Sequence, residues 1–242
     1  MKKKALKKDI RKSFAHSKGR FISIMCLIAL GSFALVGLQV AGPDMRLTGE
    51  EYFKKYNTAD LSVIGSMGID KDNAAAIEKM SGVKKLEFGY LKDVVIEGTS
   101  KSVRVFSQSD DISQYEVTEG RLPESADEIA LSDANRFGYK LGDEISFEEK
   151  SDAAGATALK NTTFKITGFI NSAEIISAVN EGQSTAGSGE LNGYAAVTDE
   201  AFDCDYYMIA RMTFDDTARL DPYSDEYRDK VQEHKTELED LL

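Results

Sequence analysis

The stretch FISIMCLIALGSFALVGLQVAG, residues 21–42, decides how this chain is organised, because it runs for 22 residues without a charged side chain. At about 1.5 Å of rise per residue, a helix of that length crosses the roughly 30 Å hydrocarbon core of a bilayer. We therefore predict a transmembrane helix from Phe21 through Gly31 to Gly42. The alternative is a cleaved signal peptide with a weak cleavage site at Val40-Ala41-Gly42, but its apolar region should span only about 7–15 residues.

The charges are distributed very unevenly around this stretch. The chain has a net charge of −11, yet its first 20 residues contain nine Lys and Arg and a single acid, Asp9. Basic residues favour the cytoplasmic side of a membrane, so we expect the N-terminus inside and everything from Pro43 onward outside the cell. Leu6, Ile10 and Phe14 are spaced as one stripe of an amphipathic helix over residues 1–20. The basic flank of the predicted span is Lys7, Lys8, Arg11, Lys12, Lys18 and Arg20.

The residues that carry chemistry are too scattered to predict a catalytic, cofactor or metal site. His16 and His234 fall on opposite sides of the predicted span, and neither has a matched nucleophile. Cys26 lies in the apolar segment and Cys204 outside it, so the two cannot form a disulfide. The sequence lacks a His, Cys or carboxylate cluster with metal-ligand spacing. The acidic outer part has the wrong charge for nucleic acid, and we expect a protein that is not an enzyme.

Beyond residue 43 the pattern predicts an α+β domain. Apolar runs predict a strand over 59–69, a short helix over 74–80 capped by Asp70 or Asp72, and a long strand over 83–98. After Gly120 short strands follow one another around tight turns, which indicates a β-rich part inserted into an α/β part. The remaining predicted strands are 102–106, 128–131, 145–147, 164–170 and 208–214, and the predicted loops are 151–163 and 180–193.

The last segment, residues 221–242, predicts a helix that starts at Asp221-Pro222. It carries a heptad seam of apolar and aromatic residues, which is the pattern of a coiled coil but covers only two heptads. We expect either the start of a coiled coil in a longer protein or a helix that packs back on the domain. The seam consists of Tyr227, Val231, His234, Leu238 and Leu241.

Several short motifs resemble one known family when they are taken in order. The N-terminal segments are DIRKSF at 9–14, SKGRF at 17–21 and ALG at 29–31; the later ones are EGRLP at 119–123, DEIAL at 127–131, GYKLGDEI at 138–145 and FKITGFI at 164–170. Together they resemble the FtsX-like ABC transporter permeases of the MacB/LolC type. The motif residues that we expect to form turns or close backbone contacts are Gly120, Arg121, Pro123, Gly142, Asp143 and Gly168.

The resemblance implies that residues 43–220 form a MacB-like extracytoplasmic core domain. It further implies a cytoplasmic ABC ATPase as partner, whose nucleotide cycle moves the outer domain by mechanotransmission, and further membrane helices from the rest of the permease or a second copy. The chain would then be the N-terminal portion of a longer permease whose substrate or envelope partner the sequence does not identify. The alternative is a stand-alone, single-pass binding or adaptor protein of the cell envelope.

Overall fold

The computed structural model describes residues 7–9, 11–12, 17–150, 157–177 and 181–242. It divides the chain into two compact units, Met1–Gly49 and Glu50–Leu242. The apolar stripe that predicts an amphipathic helix before the span, Leu6, Ile10 and Phe14, lies outside the described residues, as does His16.

The described residues include three α-helices with defined bounds, a 3₁₀ helix at Asp199–Ala201 and ten strands, and residues 7–9 and 11–12 are also helical. The helices are α1 (Lys18–Lys55), α2 (Lys71–Ile77) and α3 (Asp225–Leu241). The strands are β1 (Leu61–Ile69), β2 (Val83–Gly89), β3 (Leu91–Ile96), β4 (Ser102–Ser107), β5 (Glu116–Gly120), β6 (Glu128–Ser132), β7 (Glu144–Glu148), β8 (Thr163–Asn171), β9 (Leu191–Val197) and β10 (Tyr207–Phe214).

Helix α1 is longer than the sequence predicts. It contains the whole charge-free stretch but does not end at Gly42, and it continues through Pro43 to Lys55. A proline inside a helix removes one backbone hydrogen bond. The turn that follows gains another contact, because the Thr48 hydroxyl donates to the carbonyl of Asp44 at 2.8 Å. The polar residues from Pro43 to Lys55 thus continue the helix beyond the charge-free stretch.

The folded unit contains a small lobe built on a three-stranded antiparallel sheet in the order β1-β10-β2. One face of this sheet packs on α2 and α3 around Ile77, Met212 and Phe214. Asp70, one of the two predicted caps, caps helix α2, because its carboxylate accepts a hydrogen bond from the backbone N–H of Asn73 at 2.8 Å. The helix runs Lys71–Ile77 and so lies three residues earlier than the predicted 74–80.

The other seven strands form a β-rich lobe that closes on itself. Their order is β5-β8-β6-β9-β4-β3-β7, and β7 also pairs with β8, so six of the strands make a closed ring with β5 added beside β8. Pairs β4–β9 and β6–β8 are parallel and the remaining pairs are antiparallel. The ring is filled by large apolar side chains such as Ile129, Phe164 and Ile166, each almost fully buried.

The β-rich lobe is inserted into the small lobe, as predicted, but its boundary differs. Strands β3 to β9 all lie between β2 and β10 in sequence, so the insertion begins near Tyr90 and not after Gly120. The predicted long strand over 83–98 is therefore wrong, because its two halves belong to different sheets. The break occurs at Tyr90, whose backbone bonds to Ser107 on β4. The Tyr90 N–H donates to the Ser107 hydroxyl at 3.0 Å, and the Tyr90 carbonyl accepts from the Ser107 N–H at 2.9 Å.

Helix α3 packs back on the small lobe. Leu238 is 3% exposed in the cluster with Ile77 and Phe214. The His234 ring stacks on Phe214 with centroids 3.7 Å apart. The predicted start at Asp221-Pro222 is wrong, since the helix begins at Asp225 and the Ser224 hydroxyl caps it by accepting from the Tyr227 N–H at 3.1 Å. The heptad seam thus contacts its own domain.

Two leucines of the same seam test this packing. Leu238→Ala should lower the free energy of unfolding by about 2–4 kcal/mol because it opens a cavity in a buried cluster. Leu241→Ala, at a residue 44% exposed, should change it by less than about 0.5 kcal/mol. Denaturant unfolding followed by tyrosine fluorescence measures both, since the chain contains ten Tyr and no Trp. Equal losses from the two variants would contradict the packing described here.

Candidate functional site

Helix α1 is the one helix in the described part of the chain that is long and apolar enough to cross a membrane. None of its 38 residues is buried within the protein. Leu27, Phe33 and Leu38 are each more than 75% exposed. Apolar area of that size is unfavourable in water and favourable in hydrocarbon. Phe21, Gly31 and Gly42 all lie on this helix.

The predicted basic flank lies at the N-terminal side of the apolar stretch. All six of its residues are described and exposed. Lys18 and Arg20 belong to the first turn of α1, where the sequence provides no acidic residue. The flank therefore presents positive charge to its surroundings from Lys7, Lys8, Arg11, Lys12, Lys18 and Arg20.

The four motif segments that lie in the folded unit meet at strand β8. Three motif segments contribute strands β5, β6 and β7, and the fourth is β8 itself, with which each of the other three pairs. Gly120 on β5 stands opposite Gly168 on β8. A Cβ on Gly168 would overlap the carbonyl of Arg121, and one on Gly120 would overlap the carbonyl of Thr167. The two backbones can approach only because both residues are glycine.

Arg121 joins the end of β5 to the start of β6. Its guanidinium donates to both carboxylate oxygens of Glu128, at 2.7 and 2.6 Å. The same carboxylate accepts from the backbone N–H of Glu124 at 2.9 Å. The Arg121 hydrogen bonds, and after them the Glu124 N–H, lower the pKa of Glu128 to about 2. The neighbouring Pro123 carbonyl accepts from the Gln108 side chain at 2.6 Å.

The remaining motif turn is fixed to β8 as well. Gly142 has φ of +87°, and its N–H donates to the carbonyl of Ile166 at 2.8 Å. The Asp143 carboxylate accepts from the Lys140 N–H at 2.9 Å, while the Ile166 N–H donates to the Asp143 carbonyl at 2.9 Å. Of the six motif residues, Gly120 and Gly168 therefore lie in the paired strands β5 and β8, and the other four lie in the connections before β6 and β7. Their described contacts are with the protein itself.

Sequence reasoning missed a groove of about 640 Å³ on the folded unit. Its walls come from segments far apart in the chain, including the last turn of α1, the outer face of β1 and β10, and the connection after β8. Ile64 and Ile176 on these walls are 50% and 65% exposed. The one sequence signal for the groove is the apolar pair Ile175-Ile176 beside the predicted loop at 180–193.

A buried ion pair fixes one side of this groove. Arg211 on β10 is 2% exposed, and its Nε donates to Glu174 Oε1 at 2.9 Å. Ser62 on β1 donates to the same oxygen at 3.0 Å. The pair thus ties the connection after β8 to two strands of the small lobe. Among the residues that the structure describes, no cluster of three or more His, Cys, Asp or Glu is arranged to hold a metal ion.

Comparison with known proteins gives matches in structure. No known family matches the sequence, and no curated protein matches it. The folded part is similar to the extracellular domain of the noncanonic ABC-type transporter YknZ from Gram-positive bacteria, at 12% identity and a TM-score of 0.37, over 73% of this chain and 85% of that one.

Two further solved structures show the same distant likeness. The periplasmic region of MacB from Actinobacillus actinomycetemcomitans matches at 12% identity and a TM-score of 0.35, over 73% of this chain and 75% of that one. A domain of a putative permease protein from Porphyromonas gingivalis matches at 15% identity and a TM-score of 0.32, over 71% of this chain and 70% of that one.

Two motif glycines provide a matched test of the β8 crossing. Gly168→Ala should lower the free energy of unfolding by about 3 kcal/mol, because its methyl group would overlap the backbone carbonyl of Arg121, the residue that follows β5. Gly142→Ala meets open space and should cost only the strain of a positive φ, about 1–2 kcal/mol. Denaturant titration of both variants measures the difference. A Gly168→Ala protein as stable as Gly142→Ala would disprove the close crossing.

The Arg121–Glu128 pair predicts a specific acid dependence. Because the folded-state pKa of Glu128 lies below its ordinary value of 4.5, the pair stabilises the fold above that pH, and its contribution is lost as pH falls toward about 2. Glu128→Gln should therefore be less stable at neutral pH and lose less stability over this acid range. Glu200→Gln, at an exposed residue between β9 and β10, is the control. Parallel acid curves for wild type and Glu128→Gln would refute the assignment.

Proposed function

We propose that the chain is the membrane-anchored, N-terminal part of an FtsX-like ABC transporter permease. The observation that carries the proposal is the ordered set of family motifs, whose four outer segments occupy adjacent strands around β8. If the sequence resemblance were accidental, the motif segments would not be expected to lie on adjacent strands. The protein is not itself an enzyme in this proposal; ATP hydrolysis belongs to a cytoplasmic partner.

The topology in this proposal follows from α1 and its flank. The apolar stretch from Phe21 to Gly42 crosses the membrane once, with exposed Lys and Arg on the cytoplasmic side. The acidic folded unit then lies outside the cell. Lys7, Lys8, Arg11 and Lys12 are placed to contact anionic headgroups or the ATPase.

The coupling proposed here is mechanical. Helix α1 continues without interruption from the apolar stretch to Lys55, and residues from Glu50 onward belong to the folded unit. In this proposal, a displacement of the cytoplasmic end is passed along the chain to the outer domain, which engages a substrate or envelope partner. The rest of the permease, or a second copy, completes the transport pathway.

Co-purification tests the proposal. The tagged chain, extracted in mild detergent from the cells that produce it, should bring down an ATP-binding ABC subunit identified by mass spectrometry. Replacing Lys7, Lys8, Arg11 and Lys12 by Gln should reduce the recovery of that subunit if the flank contacts it. Replacing the exposed Lys71, Lys79, Lys84 and Lys85 of the folded unit by Gln should leave recovery unchanged.

Two outcomes would count against the proposal. One is the absence of any ABC subunit from the wild-type complex, which would favour the stand-alone envelope adaptor. The other is labelling by a membrane-impermeant maleimide in intact cells of a cysteine placed at Lys12 and not of one placed at Lys79, both in a Cys26→Ala, Cys204→Ser background. That pattern would reverse the proposed orientation.

A further inference from the structure

Four aromatic side chains stack in a row where the small lobe joins the β-rich lobe. Phe88 on β2 and Tyr207 on β10 have ring centroids 4.9 Å apart. The ring of Tyr90 lies 5.5 Å from that of Tyr207 and 5.3 Å from that of Phe202. Tyr90 and Phe202 belong to the two connections that lead into and out of the β-rich lobe. The row therefore lies at the joint between the lobes.

A fifth ring extends this row, and part of the set is open to solvent. The Tyr206 ring lies against the backbone of Gly68, since a Cβ on that glycine would fall 2.2 Å from a ring carbon. Tyr206 and Tyr207 are 42% and 37% exposed. The faces of aromatic rings carry partial negative charge and attract cations. We call the five rings the aromatic surface.

The segment that carries three of these rings is acidic. Residues 199–207 read DEAFDCDYY, with four carboxylates and no Lys or Arg. All four acids are exposed, and none forms an ion pair among the residues that the structure describes. They are Asp199, Glu200, Asp203 and Asp205. Aromatic rings and unpaired carboxylates thus alternate along one short segment.

The negative charge of this segment acts on the rings themselves. Burial, and after it the Tyr207 hydroxyl, raise the pKa of Tyr90, and Asp199 and Asp205 add to the shift. A carboxylate has this effect only on a group that lies near it. The acids therefore lie beside the aromatic surface in space as well as in sequence.

Elsewhere on the folded unit, acids lie beside bases. Lys92 is close enough to Cys204 to lower the pKa of that thiol, against the larger raising effects of burial and Glu149. The ammonium of Lys92 is itself paired with Glu149 at 3.2 Å. Asp93 is likewise paired with Arg104, at 2.6 Å. The aromatic surface differs because its acids have no such base.

The chemistry of the surface favours one kind of cation. No cluster of three or more His, Cys, Asp or Glu among the described residues is arranged to hold a metal ion. Carboxylates bind most strongly to N–H donors that carry a positive charge, which Lys and Arg have and a quaternary ammonium lacks. Four carboxylates spread over residues 199–205 match several cations and not a single one. A chain with several basic side chains meets all of these conditions.

We propose that the aromatic surface and its four carboxylates bind a Lys- and Arg-containing segment of a partner protein. Cationic side chains of the segment lie over the rings of Tyr206 and Tyr207 and pair with Asp203 and Asp205. The rings supply cation–π attraction, and the carboxylates supply charge-assisted hydrogen bonds. This site belongs to the folded unit and depends neither on the membrane anchoring nor on the assignment to a transporter.

Titration with a defined cationic peptide tests the site in the full chain. The protein is reconstituted in nanodiscs of phosphatidylcholine, whose headgroups carry no net charge, and added to fluorescein-labelled octalysine at low salt. Fluorescence polarisation measures binding. We expect saturable binding of octalysine and no binding of octaglutamate.

Two double variants with the same change of charge separate this site from the general acidity of the chain. Asp203→Asn with Asp205→Asn should lower the affinity for octalysine by at least about tenfold. Asp229→Asn with Asp240→Asn, at exposed residues of α3, should lower it by less than about twofold. Equal losses from the two double variants would show that octalysine follows total charge, and would reject the site.

The contribution of the rings is tested at Tyr207. Tyr207→Leu should lower the affinity about three- to fivefold, because leucine is apolar but has no ring face. Tyr207→Phe keeps the ring face and should bind as the wild type does. Circular dichroism shows whether each variant is folded at the temperature of the titration. A folded Tyr207→Leu protein with wild-type affinity would reject the role of the rings.

Carbodiimide coupling locates the contact directly. The reagent joins the amines of octalysine to the carboxylates that they touch, and mass spectrometry identifies the coupled residues. We expect coupling within 199–205 in preference to Asp229 and Asp240, and uniform coupling over the acidic residues would reject the site. A change in tyrosine fluorescence with tetramethylammonium chloride, without any binding of octalysine, would assign the rings to a quaternary ammonium group and reject the basic segment.

Discussion

The pairing of β8 on both of its edges is the constraint on which the β-rich lobe depends. β6 occupies one edge, and β7 followed by β5 occupies the other. Gly168 faces Gly120 on β5 and Ala130 on β6 at the same level of the strand. Any side chain at Gly168 would enter the backbone of its neighbour. β5 can lie beside β8 because this one residue of β8 has no Cβ, while β6 and β7 pair with β8 to close the ring.

Much of the local structure could be predicted from sequence, while the strand partners could not. Runs of apolar residues located β1, β4, β6, β8 and β10 to within a few residues. β5 was missed because it is an edge strand whose residues are mostly exposed, so it lacks an apolar pattern. β9 begins inside a glycine-rich stretch that predicts a loop. The break at Tyr90 depends on hydrogen bonds to Ser107, a contact that no pattern within 83–98 contains.

The candidate sites likewise include one part that could be predicted from sequence and one that could not. The motif turns could be predicted because glycine and proline set local backbone geometry. That these turns meet at β8 could be seen only in the folded structure. The groove could not be predicted from the sequence, since its lining residues Phe53, Glu174 and Thr213 come from separate parts of the chain. Thr213 fits the alternation of an ordinary strand, and only its burial without a partner distinguishes it.

The order of strands in the small sheet also determines when that sheet can form during synthesis. β10 is its central strand, and Leu61 on β1 and Leu86 on β2 both pair with Met212. A ribosome delivers β1 and β2 more than a hundred residues before their shared partner. During synthesis, the β-rich insertion is therefore complete before the small sheet can form. Until β10 is made, β1 and β2 have unpaired edges, which favour aggregation. Synthesis stalled before Tyr207 would leave a formed insertion on an incomplete sheet, and such a chain is exposed to proteolysis.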